Sequence, residues 1–369
     1  MRLAFALFQY FPYGGLQRDM LAIAKACHQL GHEITVFTRA WEGDQPEFVS
    51  LTLLEVSAMS NHGRDAAFVE AFQQQDLTAF DKVIGFNKMP GLDYYYAADS
   101  CFAEKAESRS AFYRGLARTK HHLAMEEAVF GRASKTKALL ISRPEMAVYQ
   151  RHYGLQGEAA QRRLFMLPPG IRRDRIVPED YQERRKAFRE AQGWREDEKI
   201  VLFIGSGFKT KGLDRAIAGF AQQSAASQLF VLGQDKAKAY IKQTKLLKLG
   251  GRVSFLGGVD NIQDYLWAAD ALLHPAYREN TGTVLLEAMV AGLPVVTTDD
   301  CGYCSYVTQW EMGEVLYKPN AEDIANSLEK VLKVSRKMWL GLAQDFAEHA
   351  DIYSMPTSAA SLICSTEGE

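Results

Sequence analysis

Two glutamates eight residues apart, Glu279 and Glu287, stand in the run HPAYRENTGTVLLEAMVAGLP that begins at His274. The spacing places Glu279 just before a helix start at Asn280-Thr281-Gly282, with Glu287 about two turns on. A helix N-terminus offers free backbone N–H groups and a positive dipole end, which suits a diphosphate. A carboxylate inside the helix can accept two hydrogen bonds at once, as ribose hydroxyls require, and one ahead of it can meet a sugar ring. A plainer role also fits: an acid favoured at a helix start and a solvated helix residue. A second feature is the segment KAESRSAFYRGLARTKHH, from Lys105 to His122. It sets five basic residues (Lys105, Arg109, Arg114, Arg118 and Lys120) against one acid, Glu107, with Phe112, Tyr113 and Leu116 interleaved. As a helix, its positive face and aromatics would suit an anionic membrane surface; a solvated helix is the alternative. Cys301 and Cys304 form a lone C-x-x-C, a weak sign of zinc without a second pair, and no metal site is expected.

These residues need elements to position them. Short β-rich runs alternate with helical patterns along the 369 residues, enough chain for two domains. Arg2 to Phe8 reads as a buried strand and not a signal peptide. Met20, Ile23, Ala24, Cys27 and Leu30 then recur at helical spacing, and Ile34 to Phe37 is the next strand. This is a βαβ unit and implies a parallel sheet. Lys82 to Phe86 and Ala138 to Ser142 read as later strands of it. Pro168-Pro169-Gly170 and a charged stretch, Arg172 to Glu198, break the pattern. Strands then recur at Ile200 to Gly205, Leu229 to Gly233, Val253 to Gly257, Ala271 to Pro275 and Pro294 to Thr298. The expectation is an α/β protein of two doubly wound, Rossmann-like domains facing a cleft. One spans residues 1–168 and the other 169–350. Residues 351–369 form a C-terminal segment, and chain beyond Arg336 is a candidate to pack back on the first domain.

Composition narrows the function classes. A net charge of −2 and the absence of a recognisable module argue against nucleic acid as a partner. No apolar run has the length of a membrane-spanning helix. Five scattered cysteines fit a reducing cytosol.

The stretch from His274 resembles the E-x7-E motif of family 4 retaining glycosyltransferases, which have the GT-B fold. More closely, the chain resembles the lipopolysaccharide core glucosyltransferase I (WaaG-type) family. The matching strings are FPYGGLQRD, WEGD, NHGR, GFNKMPGLD, AAD followed by C-x-AEK, LPPGI, GQDK and HPAY, from Phe11 to beyond Cys301.

That resemblance implies a hexosyltransferase using a UDP-sugar donor, with no cofactor, and a heptose of the lipid-linked lipopolysaccharide core as acceptor. The enzyme would be cytoplasmic and peripheral at the inner face of the inner membrane. Gly14 and Gly15 would let the backbone approach the donor, with Asp19 facing a sugar one turn on. Arg175 and Lys211 would be the cations at the diphosphate. The chain departs from the family pattern at Ser206 and Thr210, where relatives carry arginine; Lys209 is the candidate substitute. Uracil would lie beside Leu256 to Val259, bordered by Gly233 to Asp235. Asp99 is the first-domain candidate at the reacting centre, so the catalytic set is Asp99, Lys211 and Glu279. No residue is assignable as a nucleophile, and the analogy favours front-face attack.

Tyr96, Asn280, Thr281 and Thr283 add hydroxyl or amide groups where the glucosyltransferase has none. They leave UDP-galactose or UDP-GalNAc open beside UDP-glucose, although Asn280 and Thr281 could simply cap the helix. The rival readings are a dehydrogenase, a UDP-sugar epimerase and a non-catalytic sugar-binding protein. The first lacks G-x-G-x-x-G after its first strand.

Overall fold

The structure is a computed structural model and describes residues 1–12 and 14–365. The chain forms two compact units. One comprises Met1–Gly170 with the segment from Tyr353 onward, and the other is Ile171–Ile352.

The first unit holds seven parallel strands: β1 (Arg2–Ala6), β2 (Glu33–Thr38), β3 (Val49–Leu53), β4 (Lys82–Gly85), β5 (Tyr94–Ala97), β6 (Lys137–Leu140) and β7 (Leu164–Met166). Their order is β3-β2-β1-β4-β5-β6-β7, so the winding reverses between β1 and β4. Both faces are covered, which explains the near-continuous apolar β1: Leu3, Ala4, Phe5 and Ala6 are fully buried. The helix Gly15–Gln29 presents Met20, Ile23, Ala24 and Cys27 to one face. The C-terminal helix Met355–Cys364 packs beside it and adds Met355, Ala359, Ala360 and Ile363 to the same core.

The second unit holds β8 (Lys199–Ile204), β9 (Ser227–Leu232), β10 (Val253–Gly257), β11 (Ala271–His274), β12 (Val295–Thr298) and β13 (Gly313–Leu316). The order is β10-β9-β8-β11-β12-β13, again all parallel, with the reversal between β8 and β11. Chain beyond Arg336 divides between the units. The helix Arg336–His349 stays in the second, against the helix Thr283–Val290. Ligands of open parallel sheets bind outside the strand carboxyl ends where the order reverses. Each unit therefore offers one such place.

Candidate active site

In the second unit, the loops leaving β8 and β11 flank the reversal and are joined to each other. The carbonyl of Thr210 accepts the backbone N–H groups of Tyr277 (2.8 Å) and Arg278 (3.2 Å). Gly212 has φ +74°, and a Cβ there would lie 2.0 Å from the Pro275 carbonyl oxygen, so only glycine permits this approach. The Tyr277 hydroxyl donates to Asp214 Oδ2 at 2.7 Å, and the Arg215 guanidinium lies 3.6 Å from the Tyr277 ring centroid. A third loop, after β9, is tied in where Gln234 N donates to Ser206 Oγ (3.2 Å) and Phe208 N to Asp235 Oδ2 (2.8 Å). Gly233 abuts Gly205, with room for no Cβ between them.

This frame brings Lys211 and Glu279 into an ion pair. The backbone of Glu279 is held on both sides: its N–H donates to Asp300 O (3.0 Å) and its carbonyl accepts from Gly302 N (3.1 Å). His274, fully buried at the end of β11, has Nε2 3.7 Å from Glu279 Oε2. Burial raises the Glu279 carboxyl, but His274 and Lys211 outweigh it and pull the pKa down to about 2. Burial in turn lowers His274. The site therefore holds an ionised carboxylate, a lysine and a neutral imidazole near pH 7.

The helix Thr283–Val290 has Gly282 at its N-cap, a residue with no side chain to accept from the first turn. Asn280 and Thr281 stand just ahead of that N-cap, and Leu285 N donates to Gly282 O (2.9 Å). Glu287 is half-buried on the second turn, and Thr283 is exposed on the first. Lys209 is exposed beside Thr210, whose hydroxyl donates to Gly207 O (2.9 Å). Val259 is half-buried after β10. Arg175 is buried, and its Nη1 donates to Gln263 Oε1 (3.1 Å) and lies 3.2 Å from Asp174 Oδ1. Its Nε has no hydrogen-bond partner among the described residues.

In the first unit, Asp99 follows β5 with its side chain 58% exposed. It is fixed by Lys88 Nζ, 3.0 Å away, and by the Tyr95 hydroxyl. Sequence reasoning passes over Lys88, which is buried between Asp99 and Glu126. Burial disfavours the ammonium, but the two carboxylates raise its pKa overall. Glu126, fully buried, also accepts N–H groups of Phe102 (2.6 Å) and Ala103 (2.8 Å) and the Tyr153 hydroxyl (2.8 Å). A lysine three residues after the end of β4, inside GFNKMPGLD, is the sequence signal for this network.

Tyr96 is buried, and its hydroxyl donates to Asp19 Oδ2 at 2.8 Å. It thereby orients the Asp19 carboxylate. Burial raises the Asp19 pKa against the lowering effects of Tyr96 and Arg18. At Gly14 the room for a Cβ is filled by the protein itself, since Gln17 Oε1 would lie 1.8 Å away. Gly15 is open, with only Arg18 at 3.9 Å.

The basic segment departs from the single helical face expected of it. It divides into Phe102–Glu107, Ala111–Gly115 and the start of Ala117–Phe130. Ser110 caps the second piece, and Leu116 is extended between the last two. A positive face at helical spacing therefore does not run through it. Lys105, Arg109, Arg114, Arg118 and Lys120 are nevertheless all exposed, Phe112 is 81% exposed and Tyr113 half-buried.

Two doubly wound parallel sheets, with paired cation and carboxylate at the switch point of the second, define a glycosyltransferase of the GT-B fold. Residues 184–351 match the family model "Glycosyl transferases group 1". The chain is 40% identical to the lipopolysaccharide glucosyltransferase WaaG of Escherichia coli K12, over 98% of both proteins. A crystal structure of WaaG, a glycosyltransferase involved in lipopolysaccharide biosynthesis, matches with a TM-score of 0.89 at 39% identity, over 99% of this chain and 100% of that one. The chain belongs to the WaaG family. An Anabaena protein, HepE, crystallised with UDP-glucose, shares the fold at 17% identity, with a TM-score of 0.68 over 98% of this chain and 95% of that one.

Proposed function

We propose that the protein transfers a hexose from a UDP-sugar, with retention of configuration, to a heptose of the lipopolysaccharide core. The observation that carries this reading is the Lys211–Glu279 pair at the β8/β11 switch point, beside a helix N-terminus with glycine at its N-cap. In this reading the diphosphate lies on that N-terminus. Lys211, with Lys209 beside it, offsets charge on the departing UDP, a role divalent metals fill in other transferases. Arg175 retains a buried donor, Nε, without a partner among the described residues, and can add one contact. Glu287 accepts from the ribose, Glu279 orients the sugar ring, and Gly233 and Val259 border the uracil.

The acceptor hydroxyl attacks from the face that UDP leaves, and the departing phosphate takes its proton. No protein nucleophile is needed. Asp99, positioned by Lys88, and Asp19, by Tyr96, serve the first-unit side of the reaction. The donor is UDP-glucose, as the relative's name suggests, or UDP-galactose or UDP-GalNAc if Asn280, Thr281 and Thr283 pair with an added group. Among the described residues no helix is long and apolar enough to cross a membrane. Access to a lipid-linked acceptor is assigned to Arg109, Phe112, Tyr113, Arg114, Arg118 and Lys120 against the anionic inner face of the inner membrane.

The test is proton NMR of the purified protein with a panel of UDP-sugars and an inner-core acceptor. An α-linked product from an α-linked donor supports the reading. An epimerised donor, or binding without turnover, overturns it.

A further inference from the structure

Two of the five cysteines meet in the core of the first unit. Cys27 is fully buried near the end of the helix Gly15–Gln29. Cys364 is the last residue of the helix Met355–Cys364 and is half-buried against the same core. The Cys27 thiol donates a hydrogen bond to Cys364 Sγ. The helix end that carries Cys364 is fixed from β4 and β5. Lys82 Nζ donates to Ser365 O at 2.8 Å, the Tyr94 hydroxyl donates to Leu362 O at 2.8 Å, and Lys82 Nζ lies 5.4 Å from the Tyr94 ring centroid. The other end of the helix is tied where Met355 N donates to Pro169 O at 3.2 Å. The two sulfurs differ in reactivity. The hydrogen bond from Cys27, helped by the Lys82 ammonium, holds Cys364 below the usual thiol range against its partial burial. The same bond and burial push Cys27 up. Cys364 is therefore the readier thiolate, with a second thiol in contact to resolve it. The remaining cysteines lack this arrangement: burial pushes Cys101 and Cys301 up to about 12 and raises Cys304.

We propose that hydrogen peroxide converts Cys27 and Cys364 into a reversible disulfide, which staples the C-terminal helix to the helix Gly15–Gln29. The Cys364 thiolate attacks one peroxide oxygen. An S–O bond forms, the O–O bond breaks, and the departing hydroxide takes a proton to become water. The Cys27 sulfur then attacks Cys364 Sγ. The S–S bond forms, the S–O bond breaks, and the hydroxide leaves with the Cys27 proton as a second water. Two thiols give up two electrons, and one peroxide becomes two waters. A dithiol reductant reverses the bond by exchange. Cys364 ends its helix and Ser365 is already extended, so the Cys364 side is the one that moves to close the bond. The cross-link spans nearly the whole chain and restricts the unfolded state accordingly. Cys27 lies 12 residues past Gly15, about 18 Å along the helix. The helix start that carries Asp19 is therefore left as it is.

The test treats the purified protein with a small excess of hydrogen peroxide and reads intact mass, free thiols and the peptides of an unreduced digest. Wild type should lose the mass of two hydrogen atoms, fall from five free thiols to three and yield a linked Cys27–Cys364 peptide. Dithiothreitol should restore all five thiols. The Tm should rise by about 5 °C or more on oxidation and return on reduction. Cys364→Ser, a change at a half-buried helix end, should keep its four thiols through the same treatment and show no rise in Tm. Cys27→Ser should gain oxygen at Cys364 instead of losing hydrogen, because no resolving thiol remains. No linked peptide from wild type, a link between two molecules or to another cysteine, or the same thiol loss in Cys364→Ser overturns the assignment. A linked peptide without a rise in Tm overturns the staple.

Discussion

Lys211 and Glu279 stand 68 residues apart in sequence, yet their side chains pair because each loop leaves one of the two strands between which the second sheet reverses. A cation and an anion held there without a ligand keep each other oriented. A diphosphate arriving at the neighbouring helix N-terminus would draw Lys211 toward it and leave Glu279 for sugar hydroxyls.

Lys211→Ala should therefore slow transfer by about 2–4 kcal/mol in barrier, the usual effect of losing one such electrostatic contact. Activity should survive EDTA. Steady-state assays with and without chelator check both, and full activity of the variant or loss with EDTA would contradict the role given to the cation.

The depressed Glu279 carboxyl gives a stability signature. Its pKa falls from 4.5 to about 2 on folding, so the unfolded chain takes up the proton first. The contribution is complete above pH 4.5 and disappears as pH falls through 2. Its size is at most about 3 kcal/mol. The stability gap between wild type and Glu279→Gln, measured by urea unfolding, should be constant from pH 6 to about pH 5 and shrink from there to pH 2.5. A constant gap would mean that Lys211 and His274 do not hold the carboxylate.

Much of this site is legible before folding. Glu279, Gly282 and Glu287 announce a helix start by spacing alone, and the runs of β8, β9 and β11 are apolar because both sheet faces are covered. β5 hides because its sequence is Tyr-Tyr-Tyr-Ala. Each hydroxyl finds a specific acceptor, two of them distant in sequence: Leu362 O for Tyr94 and Asp19 for Tyr96, with nearby Asp99 for Tyr95. Lys88 and Glu126 are 38 residues apart and meet only through the fold. The basic segment misleads because charge spacing says nothing of the breaks at Ser110 and Leu116.

Donor choice should follow Asn280, Thr281 and Thr283, which stand at the site, more than Tyr96, whose hydroxyl is engaged by Asp19. Replacing the three with Ala, Ala and Ile should shift a competition assay toward UDP-glucose, and Tyr96→Phe alone should shift it less. An unchanged donor ratio would make all four structural.

The basic segment carries five basic residues against one acid, an excess of four. Each contributes about 1 kcal/mol near an anionic surface, less at high salt. The protein should co-sediment with anionic vesicles and not neutral ones. Changing Arg109, Arg114, Arg118 and Lys120 to Gln should abolish this and spare donor hydrolysis. Burial lowers the pKa values of His121 and His122, so binding should stay level from pH 8 to pH 6.5. Sedimentation of the variant, or equal binding to neutral vesicles, would remove the segment as anchor.

The β8/β11 switch point is assigned here as the donor site. Calorimetric titration of UDP into wild type, Glu287→Ala and Glu279→Ala tests it most directly. Glu287→Ala should bind UDP about tenfold more weakly, as loss of a charged hydrogen-bond acceptor implies. Glu279→Ala should bind UDP nearly as wild type does and transfer sugar slowly. Wild-type UDP affinity in Glu287→Ala would place the donor elsewhere.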